Sequence, residues 1–162
     1  MKMNGMPICP LFLLLISWIS ISGCGIQRIV THDANFSTDY EEGQTYILKV
    51  DVLAAKESAM TLHLFGVKWV ALELNNQARE NLKIQETEPP ESRTGFVLPA
   101  GTTLRFNLLG YYKNIDSEFC DPVFEILDGP LKGKLISLML FSRYESNRNW
   151  DPHLDPRFLQ RQ

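Results

Sequence analysis

The densest set of side chains able to do chemistry is Asp151-Pro152-His153-Leu154-Asp155, an imidazole between two carboxylates. Such a set suits a metal ion or an acid–base pair, provided the backbone turns the groups towards one point. Pro152 and Pro156 hold the segment extended, which brings alternate side chains to one side. The spacing matches no zinc or calcium motif, so the segment reads as a solvated acidic tail. The remaining histidines are His32, beside Asp33, and His63, within an alternating apolar stretch. No Gly-x-Ser-x-Gly elbow and no Ser-x-x-Lys motif accompanies them, so nucleophilic catalysis finds no support.

A second acidic group, Asp116, Glu118 and Asp121, falls between apolar runs and reads as a solvated loop. Gly129-Pro130-Leu131-Lys132-Gly133-Lys134 mixes glycine with lysine, as phosphate loops do. It lacks the P-loop spacing and the helix that would follow, so it reads as a hairpin turn. No residue is therefore assigned to catalysis, a cofactor or a metal. The aromatics carry the expectation of binding: Tyr111-Tyr112 at a strand end, Phe119 in the next loop, and Trp150 near the C-terminus. Exposed rings stack on glycans or anchor a protein partner. With 16 Lys+Arg against 19 Asp+Glu, the chain has a formal charge of −3 and no basic footprint for nucleic acid.

The elements that must position these groups follow from periodicity. From Thr45 the period is two, with Tyr46, Leu48, Val50 and Val52 on one face. Met60–Phe65 alternates likewise, Gly66 marks a bulge or bend, and Val67–Leu74 continues extended. Residues 71–83 read two ways. Ala71, Leu74, Ala78 and Leu82 form a helical stripe, but Asn75-Asn76 is a turn pair, which favours strand, turn and a short strand over Leu82–Glu86. Leu98-Pro99-Ala100-Gly101 fits a type I turn feeding a strand over Thr102–Tyr112, with Leu104, Phe106 and Leu108 on one face. Val123–Leu127 and Lys134–Phe141 pair across the glycine-containing loop. The expected fold is all-β and mainly antiparallel, a small barrel or sandwich over residues 45–143. Residues 24–44 read as a polar tether and 144–162 as a polar tail.

The N-terminus supplies an address. Lys2 precedes the apolar run Ile8–Ile21, which is shorter than the ~20 residues of a membrane-spanning helix. The run ends in Ile21-Ser22-Gly23-Cys24, which resembles the lipobox of bacterial lipoproteins. The resemblance implies that residues 1–23 are a signal peptide and that Cys24 becomes the acylated first residue. Two or three acyl chains would make dissociation negligible, whereas one chain anchors only marginally. Gly25, standing where an aspartate favours inner-membrane retention, points to the outer membrane.

Removing residues 1–23 takes away Lys2 and no acidic side chain, so the formal charge becomes −4. It also leaves Cys120 as the one free thiol, read as a small buried hydrophobe. The expected function is a membrane-anchored, non-enzymatic lipoprotein whose β domain binds a protein or a cell-envelope component such as a glycan. Two alternatives are an envelope hydrolase, with His63 or Cys120 in a pocket, and a module similar to the small lysozyme inhibitors. Those inhibitors rely on a disulfide that the mature chain cannot form.

Overall fold

Two long strands with buried rings on one face organise the domain: β6 (Thr103–Lys113) and β7 (Glu118–Ile126). The computed structural model describes residues 25–56, 65–85, 93–113, 118–145 and 148–162. The other strands are β1 (Ile26–Ile29), β2 (Thr45–Leu48), β3 (Val52–Lys56), β4 (Trp69–Glu73) and β5 (Gly95–Leu98). They are followed by β8 (Leu135–Ser137), β9 (Ser142–Glu145), β10 (Arg148–Leu154) and β11 (Leu159–Arg161). The main sheet runs β11-β2-β6-β7-β8-β4-β3-β5, with β1 also on β6, and curls into a half-barrel. Among the described residues every pairing is antiparallel except β4 with β8, where Trp69 lies opposite Ile136. Hairpin β9–β10 forms a separate two-stranded sheet. The fold is all-β and mainly antiparallel, with one short helix, α1 (Asn76–Gln85), among the described residues. No helix among them is long and apolar enough to cross a membrane.

The core is aromatic at its centre. Tyr40 packs against Tyr46, Phe106 and Phe124 with centroids 5.7, 5.4 and 5.3 Å away. Alternation places Tyr46, Leu48 and Val52 inside as expected, although the run divides into β2 and β3. On β6 the single apolar face changes phase. A register shift between Phe106 and Leu108 leaves Leu108 half-buried and turns Leu109 and Tyr111 to the core. That bulge also separates β6's two neighbours, β2 along Thr103–Arg105 and β1 along Gly110–Lys113.

Two segments expected outside the domain belong to it. Residues 25–44 contribute β1, and they bury Val30 and Tyr40 in the core. Residues 144–162 contribute half of β9 together with β10 and β11, whose Leu159 is buried opposite Leu48. Their anchoring side chains are single and irregularly spaced, so no period exposes them. Long-range backbone bonds fasten both ends, from Val30 N to Leu109 O at 2.9 Å and from Gln162 N to Thr45 O at 3.0 Å.

Residues 71–83 are also corrected. β4 ends at Glu73, and α1 begins where a turn and second strand were expected. Asn75 is the reason: its Oδ1 accepts the Ala78 amide at 2.8 Å, which makes it a helix N-cap. The turn after β5 is shifted by one residue. Thr102 N donates to Pro99 O at 3.1 Å, and Gly101, at φ +95°, occupies the third position of a type II turn. The β7–β8 connection is the expected glycine-containing hairpin, closed by Gly133 N on Ile126 O at 2.7 Å.

Candidate functional site: a cationic groove

Sheet topology gathers four cations that are distant in sequence. Lys56 ends β3 opposite Trp69, and Lys68 immediately precedes β4. β4 runs parallel to β8, so Lys134, just before β8, arrives at the same end. Gly95 lies opposite Ala55, which brings Arg93 there as well. Together they rim a groove of about 610 Å³ floored by Trp69, Phe96 and Leu131. A smaller hollow of about 240 Å³ extends it along Lys68 and Lys134 to Gly66 and Gly133.

Among the described residues no acidic side chain lines the groove. Elsewhere Arg28, Arg79, Arg105, Lys113, Arg157 and Arg161 are each held by a carboxylate. Among the described residues no ion pair engages Lys56, Lys68 or Lys134. Like charges around an apolar floor focus a positive potential that draws an anion in and gains most when one is bound. Trp69 and Phe96 meet edge-to-face at 5.6 Å, and the Arg93 guanidinium lies 6.0 Å from the Phe96 ring. The floor can therefore take a ring or apolar body, and the rim can take phosphate or carboxylate.

The residues singled out by type do not converge here. Asp151, His153 and Asp155 are buried at 2, 9 and 4 % exposure, so the acidic tail is not solvated. His153 and Asp155 fasten the domain. His153 Nδ1 meets Asp39 Oδ2 at 3.2 Å, and the His153 carbonyl accepts the Tyr40 hydroxyl at 3.3 Å. Asp155 accepts Arg157's backbone and guanidinium, and these bonds hold its carboxyl below the usual range. Among the described residues no group of three or more His, Cys, Asp or Glu is placed to hold a metal ion.

Glu118 and Asp121, expected in a solvated loop, lie instead on β7 and are equally structural. Glu118 accepts the Tyr111 hydroxyl at 2.5 Å and Lys113 at 3.0 Å, which lower its pKa. Burial, with Glu118 beside it, pushes Tyr111 up to about 12. Asp121 accepts Ser137 Oγ at 2.5 Å and is buried. Cys120 is fully buried, and desolvation, followed by nearby Asp151 and Asp121, pushes its thiol up to about 12. Tyr112 and Phe119 pack ring to ring at 5.1 Å, each half-buried, while Tyr111 faces the core. His32 makes an exposed pair with Glu42. Cys24, His63, Asp116 and the Trp150 side chain lie outside what is described.

Residue-type reasoning missed the groove because each of its cations is solitary in sequence. Only Lys134 stood in a segment considered for anion binding. The available signal was positional: Lys56, Lys68 and Lys134 each border a strand end.

Compared with protein-family models, curated proteins and solved structures, the chain matches none.

Proposed function

We propose that this chain is a non-enzymatic bacterial lipoprotein, anchored through acylated Cys24 at the outer membrane, whose β domain binds an anionic envelope component. The observation that carries the binding reading is the groove, with Lys56, Lys68, Arg93 and Lys134 around Trp69 and Phe96 and, among the described residues, no acid in its lining. A phosphorylated or carboxylated glycan combines the charge and ring faces that such a lining recognises. The non-enzymatic reading is supported by the fate of the reactive groups. Cys120 is enclosed and poorly ionised, and His153, on β10, is held against Asp39.

The binding test uses residues 25–162, which contain the entire described core. Calorimetric titration compares a phosphorylated disaccharide with its dephosphorylated form, for wild type and for Lys68→Glu/Lys134→Glu. Losing two cation contacts at about 1.4 kcal/mol each weakens binding roughly 100-fold. Equal affinity for the two sugars, or an unchanged double variant, refutes the groove as an anion site. Binding of an acidic protein segment that competes with the sugar would reassign the ligand class. The anchor is tested separately, by incorporation of a palmitate analogue into wild type and Cys24→Ala. Equal label in both refutes acylation at Cys24.

A further inference from the structure

The large apolar side chains that remain exposed among the described residues are Ile26, Ile29, Val97 and Leu140. Two of them, each 59 % exposed, belong to the four-residue strand β1. That strand starts two residues after Cys24, with Gly25 alone between them. At ~3.3–3.6 Å per extended residue, Cys24 and Ile26 stand no more than about 7 Å apart. β1 itself is fixed to β6, with Ile26 opposite Lys113 and Ile29 opposite Gly110. An acyl chain on Cys24 therefore holds this edge of the domain at the bilayer, with no spacer to lift it away.

We propose that β1 is a membrane-resting edge, whose Ile26 and Ile29 settle into the interface of the same bilayer that takes the acyl chains of Cys24. The inference rests on the lipid anchor proposed above. Side chains alternate along a strand, so the two isoleucines project from opposite faces and flank the edge that faces away from β6. Among the described residues that edge pairs with no strand. Unpaired backbone groups are costly in hydrocarbon, so β1 rests at headgroup depth and does not insert. Arg28, on the same face as Ile26, lies over the Phe36 and Tyr111 rings and pairs with Asp33, and such a cation suits the same depth. The groove then points away from this bilayer. It lies at the opposite end of the β6–β7 ladder, where Leu104 opposes Ile126 next to the Pro130–Lys134 loop. From Lys113 to Leu104 the ladder spans about 30 Å.

The test places an environment-sensitive fluorophore on Ile29→Cys or Lys132→Cys in the full-length, membrane-reconstituted protein. Ile26→Cys serves as a second reporter of the edge. Cys120 is buried and does not compete for label. Nitroxide lipids should quench positions 26 and 29 at least threefold more than position 132. Equal quenching overturns the proposal. Shielding of position 29 from an aqueous quencher without nitroxide quenching overturns it in favour of edge-to-edge pairing of two copies. The mass of the N-terminal peptide reports acylation independently. An unacylated Cys24 overturns anchor and resting edge together, whereas acylation with equal quenching overturns the edge alone.

Discussion

Tyr40 offers the sharpest test of whether residues 25–44 belong to the domain. Its ring is 4 % exposed and touches Tyr46, Phe106 and Phe124. Its hydroxyl meets Ser142 Oγ at 2.9 Å and donates to the His153 carbonyl at 3.3 Å, tying the segment to β9 and β10. Removing a buried aromatic side chain costs about 3–5 kcal/mol, so Tyr40→Ala is expected to lose about 4 kcal/mol. Tyr40→Phe keeps the packing and loses the hydroxyl, at about 1 kcal/mol. The cost stays small because Ser142 Oγ retains the Leu138 carbonyl as an acceptor at 3.2 Å. Urea unfolding of residues 25–162, followed by tyrosine and tryptophan fluorescence, measures both variants. With a slope of about 2 kcal/mol/M, Tyr40→Ala shifts the midpoint down by about 2 M and Tyr40→Phe by about 0.5 M. A Tyr40→Ala midpoint within about 0.3 M of wild type would mean that this ring is not in the core, and the domain would start later.

Three further outcomes are expected. Asp155 is held below the ordinary carboxylate range by Arg157, so its contribution is present above about pH 4 and lost as pH falls through the native value. Asp155→Asn should lower the melting temperature at pH 6, with the gap to wild type closing towards pH 2; a constant gap would contradict the assignment. Cys120, with its thiol at about 12, should resist iodoacetamide at pH 8 in the folded protein and react fully in 6 M guanidinium, as mass spectrometry would record. Rapid native labelling would place it at the surface. Asn75→Ala should cost about 1 kcal/mol through the lost cap and Asn75→Asp much less, both read from urea midpoints. Equal losses would argue against the cap.

The strands were legible where alternation was regular. Tyr46, Leu48 and Val52 all turn to the core, and the loop between Asp128 and Lys134 closes a hairpin as its glycines suggest. What escaped was set by tertiary contact. The bulge after Phe106 reverses the inward face of β6, and nothing in Leu108-Leu109 marks which leucine points inward. Asn75 serves a turn or a helix cap equally well, and the choice of helix comes with Leu82 set over Gly95 of β5. The buried acids were misread because Asp151 and Asp155 look like surface residues until hairpin β9–β10 and the turn into β11 enclose them. The groove was illegible for the same reason. Its cations meet only after two antiparallel pairings and one parallel pairing have placed four strand ends together.

The pairing of β11 with β2 also bears on when this chain can fold. Leu159 completes the packing beside Leu48, and Gln162 N bonds to Thr45 O across almost the whole length of the domain. The parallel contact between β4 and β8 likewise joins residues far apart in sequence. Contacts of such separation form late, because the loop they close must first be brought together. A chain that emerges N-terminus first, as in synthesis, cannot complete this sheet until residues 159–162 are free to pair. The closing strand thus acts as a built-in delay on completion of the fold.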